Sequence, residues 1–357
     1  MYRFFEWFLV LAIATAAGAA PLSVRPVSIH DPCLSFRGRF DWRDPAGPRC
    51  EWAGSTLAVR LRGSALVVRL SANGADRVQI YVDGQPHRIF TPDKGESAYR
   101  VVHDLPAGEH LVEVMKATEP LVGRVQFLGV AVPEGTALLE APAPPAFKLE
   151  LVGDSITCGF GNEAPDEHHH FSPATENNAI AYGALTARAL GADYACIAWS
   201  GKKLHPDNTL PELYDRALPT DAASPYDLAA WVPDVILVNL CTNDFGGANP
   251  AEEPWVAAYH AFVERLRHRA PRAQIILALG PMMNDTWSRQ KNALRAARSY
   301  ITRVVADCQR VGDARIHFLE FPPQGPADGF GADWHPSAGM HRRMAAQLTT
   351  YLRALPR

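Results

Sequence analysis

The sequence predicts two domains of different class, an all-β jelly-roll sandwich followed by a three-layer, flavodoxin-like α/β domain. The chain has 357 residues, which fits about two domains of about 100–200 residues each. Its first half consists of short β-type segments without a helical stripe of useful length. Its second half alternates apolar runs of strand length with stretches of helix length, as parallel α/β domains do.

The first twenty residues differ from the globular sequence that follows. Arg3 precedes an apolar stretch, residues 7–16, and the small residues 18–20 stand before Pro21. A positive head, an apolar middle and a small-residue end are typical of a secretory signal peptide. We therefore expect residues 1–20 to be removed and the protein to be secreted or periplasmic. An uncleaved N-terminal anchor is the alternative, because Glu6 weakens the positive head.

Residues 21–140 are predicted to form the sandwich. Apolar and polar residues alternate, and Asp83-Gly84 is a hairpin-turn signal. Many short strands at regular spacing favour a jelly roll. The predicted strands are 57–62, 65–70, 78–82, 111–115 and 125–132. The Pro/Ala-rich residues 141–146 cannot continue a sheet and are predicted to be a linker.

Residues 147–357 are predicted to form the α/β domain. Apolar runs without alternation indicate parallel strands that are buried on both faces. The predicted strands are 149–153, 194–198, 235–240, 275–279 and 316–321. The predicted helices are 179–190, 252–269, 290–311 and 338–355. In such sheets the site lies outside the carboxyl ends of the strands, so the residues after each strand are the candidates.

Composition excludes several classes of function. The chain has 35 basic and 38 acidic side chains and no patch of like charge, so we expect no nucleic-acid partner. No interior run reaches the roughly 18 apolar residues of a spanning helix, so we expect no membrane association after signal cleavage.

The six cysteines indicate neither a metal site nor a cofactor. None has the spacing of a thiolate zinc site, and the cluster His168–His170 is typical of a solvated loop. Cys33 and Cys50 lie in polar, Pro-rich sequence where an oxidising compartment could join them, but the sequence leaves this bridge open. The other four lie in or beside apolar stretches, as buried thiols do.

A serine and a histidine stand where chemistry is expected. Ser155 follows the first predicted strand in a glycine-rich turn, and a serine hydroxyl needs a positioned base to become a nucleophile. His335 precedes Pro336 at the start of the last helix, and a histidine can accept and return that proton. The alternative for Ser155 is that it caps the next element.

Two further residues after strands are suited to stabilising an oxyanion. Gly201 allows a close backbone approach, so that its N–H could face the oxyanion, and Asn243 offers a side-chain amide donor. Ordinary turn residues are the alternative for both. Asp244 is expected to hold its loop by accepting local N–H bonds.

Together these blocks resemble the SGNH (GDSL-type) hydrolase superfamily, named for serine, glycine, asparagine and histidine. The absence of a G-x-S-x-G elbow excludes an α/β-hydrolase. A preceding β-sandwich further resembles carbohydrate esterase family 2, acetyl esterases that act on plant polysaccharides. The segments similar to that family are 40–42, 153–161, 181–186 and 333–336.

The resemblance implies a serine esterase that deacetylates a xylan-like polysaccharide or oligosaccharide through an acyl-enzyme. Ser155 would be the nucleophile and His335 the base, and the N–H groups of Ser155 and Gly201 with the Asn243 amide would form the oxyanion hole. Trp334 and Trp199 would contact sugar, or alternatively belong to the core. A lipid esterase or thioesterase, or a non-catalytic glycan-binding protein, are the other functions considered.

The sequence departs from the superfamily pattern at two positions. Cys241 stands where the third block usually opens with glycine, and Ala332 stands where the third triad member, an aspartate, is usual. Asp333 is two residues before the histidine, and in an extended segment these positions share a face. Asp333 is therefore the candidate third member; a main-chain carbonyl orienting His335 in a Ser–His dyad is the alternative.

Overall fold

The computed structural model of the protein describes residues 23–286 and 292–355. This part of the chain forms a β-rich domain followed by an α/β domain with a parallel sheet, which confirms the predicted fold class. The predicted signal peptide, residues 1–20, and the first two residues of the predicted helix 290–311 lie outside the described residues.

The first domain is a sandwich of two antiparallel sheets. Its strands are β1 (Val24–Val27), β2 (Leu34–Arg37), β3 (Arg49–Cys50), β4 (Thr56–Arg62), β5 (Leu66–Ala72), β6 (Val78–Val82), β7 (Gln85–Phe90), β8 (Gly95–Val102), β9 (Glu109–Lys116), β10 (Val125–Pro133) and β11 (Ala137–Leu138). One sheet has the order β1-β10-β5-β8, with β3 on β10, and the other has the order β11-β4-β9-β6-β7, with β2 on β4. Alternate residues of each strand face a shared aliphatic core that includes Leu57, Val68 and Val112.

The second domain is built on one parallel sheet. Its strands are β12 (Lys148–Gly153), β13 (Asp193–Ala198), β14 (Val235–Asn239), β15 (Gln274–Leu279) and β16 (Ile316–Glu320). Their order is β13-β12-β14-β15-β16, the flavodoxin-like order, in which the chain reverses direction across the sheet after β13. The carboxyl ends of β12, β13 and β14 are therefore neighbours.

Helices cover both faces of this sheet. They are α1 (Ser155–Cys158), α2 (Tyr182–Leu190), α3 (Glu252–Arg269), α4 (Ala293–Arg310) and α5 (Ala338–Ala354). α2 and α5 pack on one face, and α3 and α4 pack on the other. α2 begins three residues later than predicted, because residues 178–180 form a 3₁₀ turn and Ala181 is extended. Within the described ranges, no helix combines the length and the apolar character that crossing a bilayer requires.

The cysteines, all of which lie among the described residues, are free thiols. Cys50 is buried and Cys33 is half-buried, and no bond joins them. The bridge that the sequence left open is therefore not formed in this structure.

Candidate active site

Ser155 and His335 meet at the carboxyl edge of the parallel sheet. The Ser155 Oγ lies 2.9 Å from the His335 Nε2, although 180 residues separate the two along the chain. Ser155 opens α1, and the helix cap is its neighbour Asp154, whose carboxylate accepts from the N–H of Ile156 at 3.0 Å. Ser155 therefore does not cap α1, which was the alternative to a catalytic role. Its hydroxyl contacts the imidazole instead.

Main-chain carbonyls fix the tautomer of His335. Its Nδ1 lies 3.1 Å from the carbonyl oxygen of Ala332 and 3.2 Å from that of Asp333. Both groups are acceptors, so the ring hydrogen belongs on Nδ1 and the lone pair of Nε2 faces the serine hydroxyl. Burial lowers the pKa of His335 below its ordinary value of 6.5, while the two carbonyls and the Asp333 carboxylate act to raise it. The base is consequently neutral near pH 7.

The Asp333 carboxylate does not contact the imidazole, so the structure does not place it as a third triad member. It accepts from the N–H of Phe171 at 3.0 Å and contacts Nδ1 of the exposed His170 at 2.8 Å. Burial acts to raise the pKa of Asp333, but these two hydrogen bonds outweigh burial and the pKa is lowered.

The prediction for Asp333 failed because it assumed an extended segment. Residues 332–334 instead form a short 3₁₀ turn in which Asp333 (φ 49°) and Trp334 (φ 64°) have left-handed backbone conformations. Side chains two apart do not share a face in such a turn. It is the carbonyl of Asp333 that faces the ring, as in the dyad alternative.

Two phenylalanines that the sequence analysis did not identify also position the base. The ring of Phe160 lies against the ring of His335, with 4.1 Å between centroids. Phe171 stacks on the other side of Phe160, at 4.3 Å. Because the Asp333 carboxylate holds the main chain of Phe171, its structural contact with His335 runs through this stack, in addition to the effect of its charge on the pKa of His335.

The candidate oxyanion donors lie on adjoining loops. The Nδ2 of Asn243 donates to the carbonyl of Lys202 at 2.9 Å and lies 3.4 Å from the Asp154 carboxylate, so it joins the loops of Gly201 and Ser155. Gly201 has φ +76°, which favours glycine, and a methyl group added there would meet no atom within 4 Å. The Gly201 backbone is therefore open to a ligand.

Asp244 anchors the loop after β14, as the sequence predicted. Its carboxylate accepts from the N–H groups of Leu204 and His205, the latter at 3.0 Å, and from the indole N–H of Trp255 at 2.8 Å. Cys241 is buried in the domain core, so its thiol is closed to solvent.

The two tryptophans differ in exposure. Trp334 is 45% exposed beside His335, and it borders a cavity of about 190 Å³ that Met282, Met283 and Phe330 also line. Trp199 is half-buried against the domain core. Trp334 is therefore available to a ligand, whereas the core interpretation fits Trp199.

The parallel sheet, with Ser155, Gly201, Asn243 and His335 at its carboxyl edge, defines a serine hydrolase of the GDSL type. Comparison with known families agrees. Residues 36–142 match the carbohydrate esterase 2 N-terminal family, and residues 151–343 match the GDSL-like lipase/acylhydrolase family. The chain belongs to the GDSL-like lipase/acylhydrolase family and, with its N-terminal domain, to carbohydrate esterase family 2.

Similar proteins include two enzymes that are named as esterases. The chain is 38% identical over 329 residues to the cellulase/esterase CelE of Acetivibrio thermocellus, covering 90% of this chain and 39% of CelE. It is 30% identical over 347 residues to an acetylxylan esterase/glucomannan deacetylase of Cellvibrio japonicus, covering 93% and 92% of the two chains.

Solved structures show the same architecture. A family two carbohydrate esterase from Clostridium thermocellum, in complex with cellohexaose, superposes with a TM-score of 0.85 at 37% identity, covering 90% of this chain and 98% of that one. A family two carbohydrate esterase from Cellvibrio japonicus superposes with a TM-score of 0.81 at 27% identity, covering 93% and 97%.

Proposed function

We propose that the protein is a serine esterase that removes O-acetyl groups from a xylan-like polysaccharide or oligosaccharide. The observation that supports this most directly is the 2.9 Å contact between Ser155 Oγ and His335 Nε2, beside the candidate oxyanion donors. The choice of an acetyl group and of a polysaccharide is inferred from the activities named for its Cellvibrio relatives, acetylxylan esterase and glucomannan deacetylase.

The geometry supports a two-step acyl transfer. Ser155 Oγ attacks the acetyl carbonyl carbon while Nε2 of His335 takes the hydroxyl proton. The resulting oxyanion is held by the N–H groups of Ser155 and Gly201 and by the Asn243 amide, and each such donor contributes about 10²–10³ in turnover. The adduct collapses, the sugar oxygen leaves with the proton from His335, and water releases acetate from Ser155 by the same sequence.

Trp334 is the candidate platform for the sugar. A pyranose presents apolar C–H surfaces, and a half-exposed indole can bury them while its N–H stays accessible. Trp334 directly follows Ala332 and Asp333, whose carbonyls face Nδ1 of His335. A sugar on its ring would therefore lie next to the base.

The test compares the parent protein with Ser155→Ala on p-nitrophenyl acetate. We expect the variant to lose nearly all hydrolysis, because the acyl-enzyme cannot form, while its thermal unfolding midpoint stays at the parent value. Hydrolysis by Ser155→Ala at the parent rate would contradict the assignment of the nucleophile.

Acetate release from acetylated xylan, acetylated mannan and simple esters then measures the substrate class. We expect acetate from the polysaccharides and a fall in kcat/KM as the acyl chain of a simple ester lengthens. A rise with acyl length would favour a lipid esterase. A parent protein that binds the polysaccharides but resists fluorophosphonate labelling of Ser155 would be a non-catalytic glycan-binding protein.

We also propose that the protein is exported. The apolar stretch 7–16 with small residues before Pro21 supports this, and a polymeric substrate is found outside the cell. Mass spectrometry of the secreted protein should find Pro21 at or near its N-terminus. An intact Met1 in the membrane fraction would favour the uncleaved anchor instead.

A further inference from the structure

A carboxylate of the N-terminal domain contacts the loop that presents the oxyanion glycine. Glu119 follows β9 and is fully buried. Its Oε2 accepts from the main-chain N–H of Ser200 at 2.6 Å, and its Oε1 accepts from the Ser200 hydroxyl. Ser200 directly precedes Gly201. Both hydrogen-bond donors of the residue beside the oxyanion donor are therefore held by one side chain of the other domain.

The same carboxylate reaches the nucleophile turn. The Sγ of Cys158 lies 3.7 Å from Oε2 of Glu119 and donates to it. Cys158 is the last residue of α1, which Ser155 begins. Glu119 thus touches both segments that supply the main-chain donors of the oxyanion hole, without a role in the proton transfer.

A buried polar network keeps Glu119 in place. The Lys116 ammonium donates to the carbonyl of Thr118 at 2.7 Å and to that of Glu119 at 3.3 Å, and it forms an ion pair with Asp76 at 2.7 Å. The N–H of Glu119 donates to the Glu176 carboxylate at 3.3 Å. These buried contacts fix the main chain at Glu119, and they thereby fix the position from which its carboxylate reaches Ser200.

We propose that Glu119 is a positioning residue for the oxyanion hole: it sets the conformation of Ser200 and Gly201, so that the N-terminal domain completes the active site. This inference rests on the proposed esterase function. A main-chain donor displaced by about 1 Å costs about 10²-fold in rate, and loss of the Glu119 carboxylate would release the loop in this way.

The chain offers a matched control at the same domain interface. Glu51 is also buried in the N-terminal domain, and its carboxylate accepts from the N–H of Thr220 at 3.0 Å and from its hydroxyl at 2.6 Å. Glu51 and Glu119 therefore make the same pair of hydrogen bonds across the interface. Only the partner of Glu119 adjoins a donor of the oxyanion hole.

The test measures kcat and KM on p-nitrophenyl acetate for Glu119→Ala, Glu119→Gln and Glu51→Ala. We expect Glu119→Ala to lower kcat about 10- to 100-fold with little change in KM, since the lost interaction acts in the transition state. Glu119→Gln should stay within about tenfold of the parent, because its amide oxygen still accepts from Ser200 N–H. Glu51→Ala should lower the thermal midpoint but keep the parent kcat.

The outcomes separate this inference from the proposed function. An active parent whose Glu119→Ala variant keeps the parent kcat, or loses no more than Glu51→Ala, would overturn the role of Glu119 alone. Glu119→Gln as inactive as Glu119→Ala, with both folded by circular dichroism, would also overturn it. If Glu119→Ala does not fold, Glu119→Asp takes its place: its shorter side chain withdraws the carboxylate from Ser200, so a parent-like kcat for Glu119→Asp would overturn the inference. A parent no more active than Ser155→Ala would overturn the esterase function and this inference with it.

Discussion

The base of this site is oriented by the main chain and by aromatic rings. The carbonyls of Ala332 and Asp333 face Nδ1 of His335, and Phe160 lies against its ring. An acceptor at Nδ1 is what a catalytic histidine needs, because it fixes the tautomer that can take the serine proton. A carbonyl supplies this without the negative charge of a carboxylate, so burial prevails and the pKa of His335 is lowered.

Asp333→Asn should therefore have a small effect. We expect kcat/KM to fall less than about tenfold, because the carbonyls remain and the amide oxygen can still accept from Phe171. His335→Ala removes the base and should cost about 10²–10⁴-fold. Steady-state kinetics on p-nitrophenyl acetate compares the two. Equal losses would restore the Asp333 carboxylate as a third member of the triad.

The pH dependence follows from the same contacts. His335 must be neutral to act, so kcat/KM should rise with pH through the pKa of His335, with the midpoint of the rise below pH 6.5, the ordinary histidine value. The Asp333 carboxylate acts to raise this pKa, so Asp333→Asn should move the acid limb to lower pH. A pH–rate profile of the parent and of Asp333→Asn measures the acid limb of each protein. A shift of the Asp333→Asn limb to higher pH would contradict the assignment of His335 as the titrating base.

At the level of elements, two packed helices join the base to the nucleophile. α5 begins just after His335, and its residue His341 is buried against α2, where Nδ1 accepts from the N–H of Tyr182 at 3.2 Å. The Tyr182 hydroxyl lies 3.0 Å from the Thr157 hydroxyl in α1. The helix that follows His335 is thus connected through α2 to the helix that begins at Ser155.

Acid should loosen this helix pair. Burial lowers the pKa of His341 to about 3, from 6.5. Because the unfolded chain binds the proton more tightly, stability is lost as pH falls below about 6.5, by about 2 kcal/mol between pH 7 and pH 5. In His341→Asn the amide oxygen replaces Nδ1 as acceptor, so urea unfolding should show about 2 kcal/mol less loss over that interval than in the parent. Equal losses would show that His341 is not the group responsible.

At the level of the whole molecule, a buried ionic group joins the two domains. Glu150, in the first strand of the parallel sheet, pairs with Arg39 of the sandwich at 3.3 Å and with Arg269 at the end of α3 at 2.7 Å. All three side chains are at most 5% exposed. Removal of the shared carboxylate would leave two buried guanidinium groups without a negative charge to balance them, although each keeps hydrogen bonds to neutral groups.

Glu150→Ala should therefore destabilise the protein by about 3–5 kcal/mol in denaturant unfolding. Glu109→Ala is the control, because Glu109 pairs with Arg60 and Arg62 on the surface, where such a pair contributes at most about 1 kcal/mol. Similar losses in the two variants would show that the buried group does not stabilise the domain interface.

The sequence predicted most where one local pattern decides the structure. The run at β14, buried at every position, reads as a parallel strand, and all five strands of that sheet were predicted within a residue or two. β8 was missed because its half-exposed residues show no clean alternation. Glu119 was also missed, because its contact with Ser200 spans 81 positions and two domains, and no local pattern signals it.

The main-chain acceptors of His335 have a consequence for substitutions in this turn. Every amino acid has a main-chain carbonyl. No substitution at position 332 or 333 therefore removes the acceptor that orients His335, as long as the turn keeps its conformation. Keeping the turn does restrict both residues, because Ala332 is fully buried and Asp333 has a left-handed backbone conformation. We therefore expect any substitution that keeps this turn to keep the tautomer of His335, whichever side chain it brings.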